Sequence, residues 1–468
     1  MAKKTPPPAV TIIGGGLAGT EATFQLIRRG VRVRLYEMRG KLETGAHKSN
    51  LLGELVCSNS MGSNLPDRAS GLIKEEMRAL TSYILDVAYK YRVPAGQALA
   101  VDRDAFSREI TRFIRGHSLV EYINEEATSF PTVEDGMCIL ATGPLTSPGM
   151  LTFLKNEFGI DQLHFFDAIA PVVEAESVDL SRAFRANRYG DDGGDYLNCP
   201  MSKEEYEAFV AELVKAERIP LPEFELAARK KLFSACQPVE EIAVSGNDSL
   251  RFGPLKPVGL NDPVTGRRPW AVVQLRQDNL LGSMYNLVGF QTNLKHAEQE
   301  RVFRMIPALA NAKFLRLGQM HKNTYLQSPK LLTGTLQVKN RPNLFLAGQL
   351  TGVEGYTESA AMGLIAGFNA ARISLGKSPV IPPPESIMGA LVHYITFEGH
   401  KHFAPMNANF GLFDAFPTPV LSHDAELEIE GSSKDDEKGK GSGASGTDRR
   451  SLLIAAGRRA FRQFTTDL

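Results

Sequence analysis

The sequence predicts an α/β protein carrying an inserted α+β domain, and three observations lead there. An apolar strand from Ala9 to Ile13 runs into Gly14-Gly-Gly-Leu-Ala-Gly19, a helical pattern follows from Thr20 to Arg29, and a second strand spans Val31 to Tyr36. The same strand-loop-helix order returns late in the chain, where Asn343 to Ala347 leads through a Gly-rich loop into a small-residue helix from Ser359 to Ser374. Between Phe166 and about His321 the character changes to scattered strands, many Pro and Gly turns, and an amphipathic helix from Lys203 to Glu217.

These elements divide the chain. The first part of a nucleotide-binding domain is expected over 9–165; it includes a short apolar strand between Gly136 and Gly143 that Pro144 closes. A substrate domain is expected over 166–324, and the return to the first domain over 325–420, with helices after Pro382-Pro-Pro384 that run to about Phe416. The stretch from Ser432 to Asp448 is low in complexity and offers nothing to bury, so a disordered linker is expected over 425–450, before a last helix over 451–468.

Composition narrows the class. With 43% apolar and 23% charged residues, 53 of the latter basic and 53 acidic, the chain has the profile of a globular protein with no global pull toward nucleic acid. No apolar run is long enough to span a bilayer and no secretory signal follows Met1, so a cytoplasmic protein without membrane contact is expected. Charge is uneven, however: from Arg229 to Lys322 there are 14 Lys or Arg and 7 Asp or Glu, so a basic face on the second domain is expected. The four cysteines, at 57, 138, 199 and 236, have neither metal-ligand spacing nor a disulfide pattern, and no metal site is expected.

The glycine motif specifies a ligand. Gly14 serves the tight turn, Gly16 the approach of backbone to a pyrophosphate, and Gly19 the packing of helix on strand, while Leu17 and Ala18 open the helix whose amino terminus faces the phosphates. Glu37, 23 residues after Gly14, ends the second strand where a carboxylate accepts from ribose hydroxyls. The stretch from Leu344 to Gly367, with Gly348 and Gln349, and the Ala141-Thr-Gly143 turn resemble the flavin-binding elements of the glutathione-reductase-like superfamily, which implies an FAD-binding Rossmann domain. Many relatives place Asp where this chain has Gln349, so the contact to the ribityl chain is expected to differ.

Longer motifs carry a closer resemblance. Glu54-Leu-Val-Cys-Ser-Asn-Ser60, Tyr196-Leu-Asn-Cys-Pro-Met-Ser-Lys-Glu-Glu-Tyr206, Cys236-Gln-Pro-Val-Glu-Glu-Ile242, Leu250-Arg-Phe-Gly-Pro-Leu-Lys-Pro-Val-Gly259, Val273-Gln-Leu-Arg-Gln-Asp278, Tyr285-Asn-Leu-Val-Gly-Phe-Gln-Thr292 and Pro405-Met-Asn-Ala-Asn-Phe-Gly411 resemble, nearly end to end, the folate- and FAD-dependent tRNA (uracil-5-)-methyltransferase family, TrmFO. The resemblance implies a carbon from 5,10-methylenetetrahydrofolate, electrons from NADPH or NADH through FAD, and the T-loop uridine of tRNA as substrate. It also implies Cys236 as the nucleophile at uracil carbon 6 and Cys57 as the base at carbon 5. Such roles need a field that favours thiolate; Lys230 and Lys231 precede Cys236 in sequence, and Arg251 is expected to approach it. Cys138, in an apolar strand, reads as core, and Cys199 as structural.

Phosphate contacts are expected from Arg251, Lys256 and Arg276, with Lys295, Arg301, Arg304 and Lys322 as further candidates. Phe252, Tyr285 or Phe290 would stack on an extruded base. Two other readings stand beside this one: a related, longer FAD enzyme that modifies the wobble uridine, and an FAD oxidoreductase for small molecules, which would need neither the Cys236 region nor a basic face. A third, in which tRNA folding matters more than catalysis, would survive loss of Cys236.

Overall fold

The computed structural model describes residues 9–131, 136–159, 163–188, 194–220, 237–413 and 445–468. The apolar strands of the two glycine units meet in one sheet. Its order is Gln337–Val338, Arg341–Leu346, Cys138–Leu140, Val10–Ile13, Val33–Tyr36, Val120–Ile123, all parallel except the first edge pair. The chain leaves the central strand Val10–Ile13 toward one side and returns to its other side later, and at such a reversal the loops after the carboxyl ends of the strands separate into a crevice.

Two helices cover this crevice from one face of the sheet. Leu17–Ile27 follows the first glycine loop, and Tyr356–Ser374 follows the second. They cross closely because small residues face each other: a Cβ on Gly363 would lie 2.1 Å from the Ala18 carbonyl oxygen, and one on Gly367 would lie 2.6 Å from Ala22 Cα. Both helices start a few residues before the apolar periodicity predicts, directly at their glycine loops.

The second sheet is antiparallel throughout, in the order Phe184–Ala186, Tyr196–Met201, Ala271–Gln277, Met284–Leu287, Val172–Glu174, Phe314–Arg316. Its strand Ala271–Gln277 is buried along almost its whole length, and the helix Lys203–Lys215, opened by a Ser202/Glu205 capping box, lays Tyr206, Phe209 and Leu213 on a core separate from that of the first sheet. An antiparallel ribbon, Leu163–Ala168 with Met320–Tyr325, joins the two units.

The carboxy-terminal region departs from expectation. After the helix Ile387–Thr396 the described residues up to 413 form only a short 3-10 helix, Phe410–Phe413, where a helical run to about Phe416 was expected. The terminal helix runs Ser445–Thr466 and so begins within the segment expected to be linker; the expected linker residues 425–444 lie outside the described residues. Leu453 and Phe461 hold it by burial in the first core, and Arg458 pairs with Glu75 at 2.7 Å. Among the described residues no helix is long and apolar enough to cross a membrane.

Candidate active site

The glycine loops, the end of the second strand and the segment 47–57 enclose a cleft of about 1140 Å³, part of it open to solvent. Its glycines have two different reasons to lack a side chain. Gly14, at φ 107°, and Gly19, whose Cβ would sit 1.8 Å from the Gly14 carbonyl oxygen, are required by the protein's own backbone. At Gly16 and Gly143 a Cβ would meet nothing within 4 Å and would project into space, so those positions leave room for a ligand. With Leu17 and Ala18 at the helix amino terminus, the cradle fits a diphosphate.

Glu37 lines the same cleft. Its carboxylate accepts from the Gly15 N–H at 2.9 Å and is gripped by the Arg39 guanidinium at 3.0 Å through both oxygens. Burial alone would push this carboxyl up, but the hydrogen bonds and charge of Arg39 outweigh it and hold the group below the usual carboxylate range. On the opposite wall Gly348, at φ 78°, turns the chain, and Gln349 donates to Glu354 at 2.7 Å.

Cys57 reaches the cleft from a clamped segment. The Tyr356 hydroxyl oxygen accepts from the N–H of Cys57 at 2.8 Å and of Ser58 at 3.2 Å, and it lies 2.9 Å from Cys57 Sγ. Because the oxygen is already an acceptor twice, its own hydrogen is left for the sulfur, and donation to sulfur favours its charged form. Burial, reinforced by the Cys57 charge, pushes the Tyr356 phenol well up, so it stays a donor. On either side of Cys57, Arg316 donates to the Val56 carbonyl at 2.6 Å, and the fully buried Asn59 donates to Val101 and Gln277 while accepting from Arg276 at 2.8 Å.

Two histidines complete this end. Burial and the Arg39 charge push His47 down to about 4 against the pull of Glu54 and Glu37, and burial with Arg316 pushes His321 down to about 4, so both imidazoles are neutral at pH 7. His321 Nε2 is buried and meets no partner among the described residues, which leaves it available to a ligand in the cleft.

The other predicted residues fall in several places. Cys236, with Lys230 and Lys231, lies outside the described residues. Cys138 and Cys199 are buried in the two sheets, and burial pushes both thiols up to about 12. Arg251 lies 4.0 Å over the Trp270 ring and donates to the Trp270 carbonyl at 3.0 Å, while Lys256 is half-buried nearby. The expectation for Arg276 is corrected: it is only 7% exposed, between the two domains, where it orients Asn59 and presents no charge to a phosphate. Tyr285 and Phe290 are likewise buried in the second core, so of the three proposed stacking aromatics only Phe252, 76% exposed, faces solvent. Lys295, Arg301 and Arg304 sit in ion pairs with Glu217, Glu212 and Glu300, and the Lys322 side chain lies outside the description.

Sequence reasoning passed over Tyr356, Asn59, Arg316, both histidines and Arg103, which pairs with Asp278 at 2.5 Å. Tyr356 and Asn59 stood inside motifs already singled out, the Gly355-Tyr356 turn and the Cys57-Ser-Asn59 segment, so a signal existed for them. The histidines and arginines have no local pattern.

The family model for glucose inhibited division protein A matches residues 9–378. Methylenetetrahydrofolate--tRNA-(uracil-5-)-methyltransferase TrmFO of Moorella thermoacetica is 56% identical over 90% of this chain and 94% of its own length. The protein of the same description from Lactobacillus helveticus is 53% identical over 87% and 99%. Among solved structures, Aquifex aeolicus GidA in its form II crystal superposes with a TM-score of 0.64 at 16% identity, over 93% of this chain and 77% of that one, and so shares the fold. The chain therefore belongs to the glucose inhibited division protein A family and, within it, to the TrmFO methyltransferases.

Proposed function

We propose that this protein methylates carbon 5 of the T-loop uridine of tRNA, forming ribothymidine, with the carbon taken from 5,10-methylenetetrahydrofolate and the hydride from FAD that NADPH or NADH has reduced. The observation that carries the reading is a cysteine sulfur held by a tyrosine hydroxyl at the mouth of a dinucleotide cradle, in a chain more than half identical to relatives of that description.

Carbon 5 of uracil is a weak nucleophile. In this reading the Cys236 thiolate adds to carbon 6, the ring becomes an enolate, and carbon 5 attacks the one-carbon unit. Cys57, as thiolate, then takes the proton from carbon 5, and the Tyr356 hydroxyl keeps the sulfur charged until it does. The electron pair left at carbon 5 expels tetrahydrofolate from the added carbon and gives an exocyclic methylene; a reduced flavin held in the cradle would supply the hydride that makes it a methyl group, and departure of the Cys236 thiolate from carbon 6 would restore the ring. Gly14, Gly16, Leu17 and Ala18 would hold the diphosphate, with Gly19 seating the helix against the loop, Glu37 the ribose, and Gly143, Gly348 and Gln349 the flavin end. Segment 166–324 is assigned to tRNA, with Arg251 and Lys256 on phosphates, and the protein to the cytoplasm.

RNA bearing 5-fluorouridine at the target position tests this. Carbon 5 then has no proton to lose, so the wild type is expected to form a stable covalent complex and Cys236→Ala none. Trapping by the alanine variant would remove Cys236 from the mechanism.

A further inference from the structure

The strip that presents Cys57 continues into the short strand Ser60–Ser63, and a buried lysine holds the end of that strand. Lys74, on the helix Ala69–Ala79, is only 2% exposed. All three of its ammonium hydrogens are used: one goes to the Ser63 carbonyl at 2.8 Å, and the others to the carbonyl and hydroxyl oxygens of Ser70, each at 2.9 Å. Gly62, at φ 80°, leaves the room for this contact, since a Cβ there would lie 2.5 Å from Ser70 Oγ.

Three consecutive residues at the amino terminus of the helix Tyr356–Ser374 meet the same network. The Tyr356 hydroxyl takes the N–H groups of Cys57 and Ser58, and Thr357 donates to the Met61 carbonyl at 2.9 Å. Glu358, also buried, accepts from the Ala408 N–H at 3.1 Å. Burial pushes Lys74 down to about 8 and Glu358 up, and the charge of each opposes the shift of the other. Ala408 belongs to the Pro405-to-Gly411 motif, whose Met406 shares backbone hydrogen bonds with Gly352 and Glu354, just ahead of Tyr356.

Opposite charges in a protein interior contribute little net stability beyond that of apolar side chains of the same size. A lysine at this spot does what a leucine could not: it fixes one carbonyl. We propose that Lys74 is a positioning residue for Cys57, which by holding the Ser63 carbonyl sets the strip so that the sulfur meets the Tyr356 hydroxyl. Asn59 then pins the middle of the strip to the second domain, and Lys74 pins its end to the first. The inference rests on the reading of Cys57 as the base and adds a residue that serves it from outside the cleft.

Lys74→Met tests this in the full-length, flavin-loaded Cys236→Ala protein, with iodoacetamide as the probe of Cys57. The midpoint of the alkylation pH profile is expected to rise by about one unit, which is a roughly tenfold loss of thiolate below it. Arg103 and Arg316, the cations that face Cys57 and Val56, come from other elements and stay in place. In a Tyr356→Phe background the same substitution is expected to move the midpoint no further, because it acts through that hydroxyl. A folded Lys74→Met protein with the midpoint of its parent overturns the inference, even where its Tm has fallen, and so does a second full shift added to that of Tyr356→Phe. If Lys74→Met does not fold, Lys74→Met/Glu358→Gln, which leaves no lone charge in the interior, is held to the same two outcomes. Alkylation needs no turnover, so a shifted midpoint in an enzyme that methylates nothing supports the positioning role and refutes only the functional reading.

Discussion

Tyr356→Phe removes one oxygen from the place where the backbone and sulfur of Cys57 converge. The phenylalanine ring fits the same space, but the N–H groups of Cys57 and Ser58 lose their acceptor and Sγ loses the donor 2.9 Å away. A hydrogen bond to a charged group contributes about 1.5–3 kcal/mol, which corresponds to a fall of roughly ten- to a hundredfold in thiolate at neutral pH. Alkylation of Cys57 by iodoacetamide measures this directly in a Cys236→Ala background, because Cys138 and Cys199 are buried and, with thiols pushed up to about 12, remain unreactive. The rate at pH 7 is expected to drop by that factor and to climb back to the wild-type rate in alkaline solution. Recovery separates lost ionisation from altered access. An unchanged rate at pH 7 would mean that the phenol hydrogen does not serve the sulfur.

Two further outcomes follow from the first domain. Glu76 is buried, where its carboxylate accepts from the N–H groups of Ile387 and Met388, and burial pushes it up to about 8 despite those bonds. A carboxyl raised on folding contributes stability that is complete below its ordinary value of 4.5 and is lost as pH rises toward 8, so the wild-type Tm is expected to fall between pH 5 and 8 and that of Glu76→Gln to stay flatter; parallel profiles in thermal melts would refute the assignment. Gly363→Ala drives a methyl group to 2.1 Å from the Ala18 carbonyl oxygen, which is expected to cost about 1–3 kcal/mol and to lower the flavin recovered per chain, read by absorbance after purification; full flavin content would show that the two helices can part without harm.

How much of this was legible depended on whether a constraint was local. The Gly14, Gly16 and Gly19 spacing predicts a cradle because the backbone itself demands glycine at 14 and 19 and the approach of a ligand favours it at 16, and Glu37 follows from the length of one β-α-β unit. Arg276 misled for the converse reason. Its motif showed a cation in an alternating segment, but whether that strand face meets solvent or Asn59 depends on how two domains dock. Tyr285 and Phe290 failed in the same way, since an aromatic suited to stacking on a base is equally suited to a core. The Tyr356 contact to Cys57 closes a span of 299 residues, and the Arg103 contact to Asp278 one of 175, distances over which no periodicity carries information.

The strip that presents Cys57 belongs to the first domain by sequence but is stapled to the second through Arg316 at Val56 and through Asn59 at Gln277 and Arg276. A large partner seated on the second domain would therefore pull on the reactive sulfur through hydrogen bonds only one or two residues from it. The same few hydrogen bonds that dock the two domains also fix where that sulfur sits.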